Sequence, residues 1–265
     1  MSKQSVTSED GTPISYWRSG QGPPLVLVHG TTADHSRWAP VLPEFEKHFS
    51  VCAIDRRGRG GSGDSDDDYA IEREFEDVAA VVDSFGEPAF LMGHSYGAIC
   101  ALEASLLTPN VRKLVLYEPP LDVTDEKINP PELIDRLEAL LDAGDREGVV
   151  ATMLREAAGV PPEVLEYMRS LPAWGARVAA AHTIPRELRA QETHRFEPER
   201  FGNLGVPTLL LVGGESPSAF EKAAKAVSEA LPNSRIVVME GQEHVAIDTA
   251  TDLFTREVLR FLEDS

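Results

Sequence analysis

Short apolar runs alternate along most of the chain with segments that have the periodicity of a helix. The runs include residues 25–28, 51–54 and 88–92, and none is interrupted by a charged side chain. A strand with one exposed face would alternate polar and apolar residues, so continuous runs indicate strands buried on both faces. Apolar residues at helical spacing follow two of these runs, at 71–85 and 98–107. The alternation predicts a mostly parallel sheet flanked by helices, which is an α/β fold.

The two ends of the chain complete this predicted sheet. Asp10-Gly11 is a turn pair that precedes Ile14, Tyr16 and Trp17, and it predicts an antiparallel hairpin at the edge of the sheet. Further strands are predicted at 111–117, 208–212 and 235–239, and a last helix from about 249 to 262. A helix is also predicted through Trp38, Leu42 and Phe45. Together these segments give a sheet of about eight strands.

The alternation of predicted strands and helices stops after Glu118 and resumes after about Asn203. Between these points, proline pairs separate helical stretches. The stretches include 133–141, 149–158 and 164–168. We therefore predict a helical cap at 119–203, inserted into a core that consists of 1–118 and 204–265.

Composition narrows the range of partners. The chain has 265 residues and a formal charge of −19, from 44 acidic and 25 basic side chains, which argues against nucleic acid and anionic membranes as partners. Cys52 and Cys100 lie in apolar patterns and are expected to be buried without a disulfide. No cysteine spacing for a metal and no apolar run of membrane-spanning length is present. We expect a cytoplasmic protein, and the oligomeric state stays open.

The segment from Gly93 to Gly97 carries the strongest chemical signal, because it fits G-x-S-x-G between a predicted strand and a predicted helix. That is the setting of a nucleophile elbow, in which Ser95 stands at the corner and the flanking glycines let strand and helix approach closely. Five residues can match by chance, so the hypothesis depends on partners for Ser95 elsewhere in the chain.

A serine hydroxyl needs a general base and donors for the oxyanion. His244 follows the predicted strand 235–239 and precedes the last helix. The base has this position where the nucleophile, the acid and the base follow one another in that order along the chain. The expected oxyanion donors are two backbone N–H groups. We assign them to Tyr96, directly after the nucleophile, and to Thr31, in the loop that follows the strand 25–28.

These motifs together resemble the α/β-hydrolase family with a cap domain, in its esterase or lactonase branch. The resemblance covers nearly the whole chain and is carried in order by His29-Gly30, residues 55–63, residues 93–97 and residues 241–244. It implies nucleophile Ser95, base His244 and no cofactor or metal. The substrate implied is a small, largely apolar molecule with an ester-like or lactone bond.

The acid of the implied triad departs from the usual family pattern. Ser216 occupies the position after the 208–212 strand at which relatives usually carry an aspartate. A hydroxyl cannot stabilise an imidazolium as a carboxylate does. Glu118, directly after the strand 111–117, is the favoured acid, since some relatives look to carry theirs there. Glu215 is the alternative, followed by Asp248 or no acid at all.

Other candidates carry weaker signals. Arg56, Arg57 and Arg59 are expected to form structural ion pairs, with an anion site as the alternative. The pocket-lining candidates are Thr32, Trp38, Met153 and Trp174.

Three other functions stay open beside ester or lactone hydrolysis. A ligand-binding protein on a hydrolase scaffold is one, because a fold does not fix a function. Acyl transfer to another acceptor and carbon–carbon bond hydrolysis are the others, because both would use the same residues.

Overall fold

The computed structural model of the protein describes residues 1–64, 69–124, 128–130 and 132–264. Its eight strands form one sheet in the order β1-β2-β4-β3-β5-β6-β7-β8. They are β1 (Ser2–Thr7), β2 (Pro13–Ser19), β3 (Pro24–Val28), β4 (Ser50–Ile54), β5 (Ala89–His94), β6 (Val111–Tyr117), β7 (Thr208–Gly213) and β8 (Ser234–Met239). Strand β2 pairs antiparallel with β1 and β4, and the other pairs are parallel. The predicted α/β fold with a mostly parallel sheet is confirmed.

Helices cover both faces of the sheet. They are α1 (Leu42–Phe45), α2 (Ile71–Asp83), α3 (Tyr96–Ala104), α4 (Leu133–Asp142), α5 (Arg146–Glu156), α6 (Pro162–Ser170), α7 (Ala173–Ala179), α8 (Thr183–Thr193), α9 (Ser218–Ala230), α10 (Ala246–Thr249) and α11 (Thr251–Glu263). In β4, Cys52 and Ile54 join the apolar cluster under α2, α3 and α9, whereas Val51 and Ala53 join the cluster under α1 and α11. This strand is therefore buried on both faces, which explains its uninterrupted apolar sequence.

Some helices differ from the predicted ones. The predicted helix through Trp38 is a 3₁₀ turn at His35–Trp38 followed by the short α1, because Pro40 and Pro43 lack the backbone N–H that a continuous helix requires. The predicted last helix corresponds to α11, which begins at Thr251 because the backbone of Ala250 is not helical (φ −144°, ψ 49°). Cys52 and Cys100 are buried and free. Within the described residues, no helix is both long and apolar enough to cross a bilayer.

Helices α4 to α8 lie between β6 and β7 in the chain, and we call them the inserted helices. They share an apolar cluster of their own, which includes Leu137, Val150 and Ile184. The division of the chain into a core and a cap stays a prediction.

The register of the central strands determines what meets at their carboxyl ends. Val28 pairs with Gly93 and His94 pairs with Tyr117, so the loop after β3, the turn after β5 and the residue after β6 lie side by side. The Glu118 N–H donates to the Leu211 carbonyl of β7 at 3.1 Å. Residues that are far apart in sequence therefore converge at one edge of the sheet, where open parallel sheets bind ligands.

Candidate active site

Ser95 occupies a strained turn between β5 and α3. Its backbone has φ 56° and ψ −129°, a conformation that costs energy for any residue with a side chain. A Cβ on Gly93 would lie 2.2 Å from the carbonyl oxygen of Gly97, so the strand and the helix approach too closely for a side chain there. The local geometry is that of the nucleophile elbow and leaves Ser95 half-buried at the corner.

Gly30 lies against the side chain of Ser95. A Cβ built on Gly30 would be 2.8 Å from the Ser95 Cβ and 3.4 Å from its Oγ. The next residue, Thr31, has a backbone N–H that donates to no acceptor within the described chain. Tyr96 is the first residue of α3, where backbone N–H groups lack an intrahelical acceptor. Both N–H groups assigned from the sequence thus belong to residues that adjoin the elbow.

His244 follows β8 and forms a hydrogen bond with Glu118. The distance from Nδ1 to the Glu118 Oε2 is 2.5 Å. Since a carboxylate oxygen accepts, Nδ1 carries the proton, which leaves Nε2 with the lone pair that a general base requires. The His244 ring lies 4.7 Å, between centroids, from the ring of His94, the residue directly before Ser95. The imidazole therefore lies next to the elbow.

The Glu118 carboxylate is fully buried at the end of β6. Its backbone has a positive φ of 47°, so Glu118 is strained, as Ser95 is. Oε1 accepts from the Gly213 N–H at 2.7 Å, and Oε2 faces His244. Each oxygen thus has its own partner, which fixes the orientation of the group.

The other acid candidates lie elsewhere. Glu215 is exposed, and Asp248 forms an ion pair with Arg37 at 2.7 Å. Ser216, at the usual aspartate position, is half-buried, and its Oγ has no hydrogen-bond partner in the described chain. Four residues are candidates for the acid or its position: Glu118, Glu215, Asp248 and Ser216. Glu118 is the one whose side chain forms a hydrogen bond with His244. Its catalytic role stays a prediction.

Two residues that the sequence did not single out hold the His244 loop. The His94 Nε2–H donates to the His244 carbonyl at 3.0 Å, and the Tyr117 hydroxyl donates to the Glu243 carbonyl at 2.5 Å. Burial and the neighbouring His244 keep the pKa of His94 well below its ordinary value, so His94 is neutral. The only signal for this pair in the sequence was adjacency, since His94 precedes Ser95 and Tyr117 precedes Glu118.

The arginines after β4 are buried and paired with carboxylates, in line with the structural interpretation. Arg57 binds Asp77 through two bonds of 2.7 Å. Arg56 and Arg59 bind Glu187, from the inserted helices, at 2.8 and 2.6 Å. The Arg56 guanidinium also lies 4.6 Å above the centre of the Tyr96 ring. These ion pairs connect the inserted helices to the elbow.

The pocket-lining candidates have different surroundings. Thr32 is buried in the loop after β3, and Arg177 of α7 donates to it. Trp38 is fully buried in the apolar cluster under α1 and α11. Met153 and Trp174 belong to the cluster of the inserted helices. A role in substrate binding stays a prediction for all four lining candidates.

A cavity and a cluster of possible metal ligands involve neither Ser95 nor His244. A cavity of about 700 Å³ between α2 and α8 is lined by Tyr69, His182 and Arg186, among others, but not by Ser95 or His244. Oxygen and nitrogen atoms of Asp34, His35 and Asp55 lie within 4.8 Å of one another. Hydrogen bonds within the fold account for this group, because the Asp55 carboxylate accepts from His35, Trp17 and the Gly61 N–H.

Comparison with known proteins identifies the family and supports the fold. The sequence model described as "Alpha/beta hydrolase family" matches residues 25–257. An alpha/beta hydrolase from Sphaerobacter thermophilus has a similar structure, with a TM-score of 0.83 and 38% identity over 98% of this chain and 100% of that one.

Two curated relatives are similar over most of their length. The bifunctional esterase/perhydrolase of Acinetobacter calcoaceticus is 28% identical over 97% of this chain and 98% of its own. The 2-(acetamidomethylene)succinate hydrolase of Mesorhizobium japonicum is 24% identical over 92% of this chain and 89% of its own. Relatives of this kind support hydrolase activity.

Proposed function

Because the chain belongs to the alpha/beta hydrolase family, we propose that it is a serine hydrolase that cleaves an ester-like or lactone bond of a small molecule, without a cofactor. The observation that carries the proposal is the hydrogen bond from His244 Nδ1 to Glu118 at 2.5 Å, beside a serine in a strained elbow. A nucleophile, a base and a group that orients the base are the three parts that acyl chemistry requires.

The proposed reaction begins with attack of the Ser95 Oγ on the carbonyl carbon. The hydroxyl proton passes to His244 Nε2, and the buried Glu118 carboxylate stabilises the imidazolium that forms. The N–H groups of Thr31 and Tyr96 donate to the oxyanion. Collapse of the intermediate breaks the carbon–oxygen bond, and the leaving oxygen takes the proton from His244. Water then hydrolyses the acyl-enzyme on Ser95 by the same steps.

A hydrolysis assay on short-chain 4-nitrophenyl esters and on simple lactones tests the proposal, with Ser95→Ala as the matched variant. We expect turnover by the wild type and a loss of about 10³-fold or more in the variant. Brief reaction with ester should also leave an acyl group on Ser95 that mass spectrometry detects. If none of these esters and lactones is hydrolysed in a Ser95-dependent way, the ligand-binding alternative is favoured. Ester products formed in the presence of added alcohols would identify acyl transfer.

A further inference from the structure

Arg177 brings a cation from the inserted helices to the loop beside the nucleophile. Its Nη1 donates to the Thr32 carbonyl at 2.9 Å and to the Thr32 hydroxyl at 3.0 Å. Thr32 lies two residues after Gly30, the residue that abuts Ser95, and consecutive Cα atoms are about 3.8 Å apart. The guanidinium therefore holds the same loop whose Gly30 lies against Ser95.

Arg177 has no carboxylate partner in the part of the chain that the structure describes. Its two bonds go to neutral oxygens of Thr32, and Nε and Nη2 donate to no acceptor among the described residues. A guanidinium has five N–H donors, so three remain available. Arg56, Arg57 and Arg59, in contrast, each bind a carboxylate. A half-buried guanidinium with open donors can receive an anion that the protein does not itself provide.

Two further arginines lie within electrostatic reach of Arg177. Burial and the positive charges of Arg37 and Arg59 lower the pKa of Arg177 to about 10, against the opposing effect of Asp34 and Asp248. The buried Nη2 of Arg37 and the buried Nη1 of Arg59 have no hydrogen-bond partner in the described chain. Arg37 and Arg59 are each ion-paired, with Asp248 and Glu187, so these two nitrogens are open hydrogen-bond donors beside the unpaired charge of Arg177.

We propose that Arg177, assisted by Arg37 and Arg59, is an anion subsite that binds a carboxylate of the substrate, so that the hydrolysed molecule carries a carboxylate in addition to the scissile carbonyl. This inference rests on the proposed function and replaces a largely apolar substrate with an anionic one. The flat fork of a guanidinium matches a carboxylate through two parallel hydrogen bonds. Binding there would hold the carbonyl over Ser95 with the oxyanion near Thr31.

A paired-substrate assay tests the subsite. Monomethyl succinate and methyl butyrate offer the same methyl ester on acyl chains that differ in the terminal carboxylate. We expect wild-type kcat/KM to favour the anionic ester, and Arg177→Met to lower that value at least about thirtyfold. Hydrolysis of methyl butyrate should change less than about threefold. Arg155→Met, at an exposed arginine of the inserted helices, is the matched control.

A second measurement separates failure of the subsite from failure of the proposed function. Succinate binding to the Ser95→Ala variant, measured by calorimetry, needs no turnover. We expect binding that is lost when Arg177→Met is added and partly kept with Arg177→Lys. Equal losses on both esters, or binding unaffected by Arg177→Met, would overturn the subsite and give Arg177 a structural role on the Thr32 loop. Arg177-dependent binding without any ester hydrolysis would overturn the proposed function alone.

Discussion

Glu118 and His244 are 126 positions apart in the chain and share a hydrogen bond of 2.5 Å. The other oxygen of Glu118 is occupied by the Gly213 N–H. This arrangement leaves the carboxylate one orientation, in which it accepts from Nδ1 and keeps the Nε2 lone pair of His244 free. The Glu118 carboxylate, which can only accept, thus sets the tautomer of the imidazole, and the Gly213 N–H of β7 holds that carboxylate in place.

Replacement of Glu118 by Gln should lower kcat by about 10³-fold or more. The amide oxygen would still accept from Gly213, so the amide NH₂ would face Nδ1 and favour the tautomer that carries its proton on Nε2. Steady-state ester hydrolysis measures the effect. Glu215→Gln, at the exposed alternative acid, should stay within about twofold of wild type. Full activity of Glu118→Gln would show that the assignment of the acid is wrong.

His94 should act as a positioning residue through its hydrogen bond to the His244 carbonyl. His94→Phe keeps an aromatic ring beside His244 but removes the donor, and we expect kcat to fall about tenfold with little change in KM. His94→Gln, which restores a donor at a similar distance, should recover most of the loss. Because His94 is neutral, the pH dependence of kcat should keep its shape in both variants. A changed profile would contradict this role.

Gly30→Ala should impair catalysis while the fold is kept. The added methyl would lie 2.8 Å from the Ser95 Cβ, so the loop or the serine must shift. A displacement of about 1 Å at a reacting group can cost about 100-fold in rate, and we expect kcat/KM to fall by that order. Gly205→Ala, where a Cβ meets nothing within 4 Å, is the control. Thermal unfolding distinguishes a misplaced serine from a destabilised protein.

Glu74 should make stability depend on pH. Burial raises its pKa from 4.5 to about 7, with Arg56 opposing the shift and Glu187 adding to it. The pKa of Glu74 is higher in the folded state than in the unfolded state. The stability that Glu74 contributes is therefore complete below pH 4.5 and is lost as the pH rises through about 7. Glu74→Gln should therefore gain about 2.5 kcal/mol in unfolding free energy, relative to wild type, between pH 5 and pH 8.

Urea denaturation at several pH values measures the gain. Glu72→Gln, at an exposed position of the same helix, is the control and should follow wild type. A difference between Glu74→Gln and wild type that does not vary with pH would contradict the expected titration.

Much of this fold could be predicted because its signals are local. Burial on both faces forces the continuous apolar sequence of β3 and β4, and the close approach of strand and helix forces the glycines around Ser95. The end of a buried strand also singled out Glu118. These features need only the spacing of residues along one segment.

Contacts across the insertion could not be predicted in this way. Arg59 meets Glu187 across 128 positions, and Arg177 meets Thr32 across 145. No periodicity relates such residues, because their encounter depends on how the inserted helices pack over the sheet. The same holds for His94, whose hydrogen bond to the His244 loop spans 150 positions.

Glu187 also limits how the inserted helices can be exchanged. A chimera that replaces residues 119–203 with the insertion of another hydrolase would leave Arg56 without one of its two carboxylate partners and Arg59 without its only ion pair in the described chain. An uncompensated buried charge costs about 3–5 kcal/mol. Grafts intended to transfer specificity therefore require an acidic residue at the position of Glu187, whatever the remainder of the donor sequence.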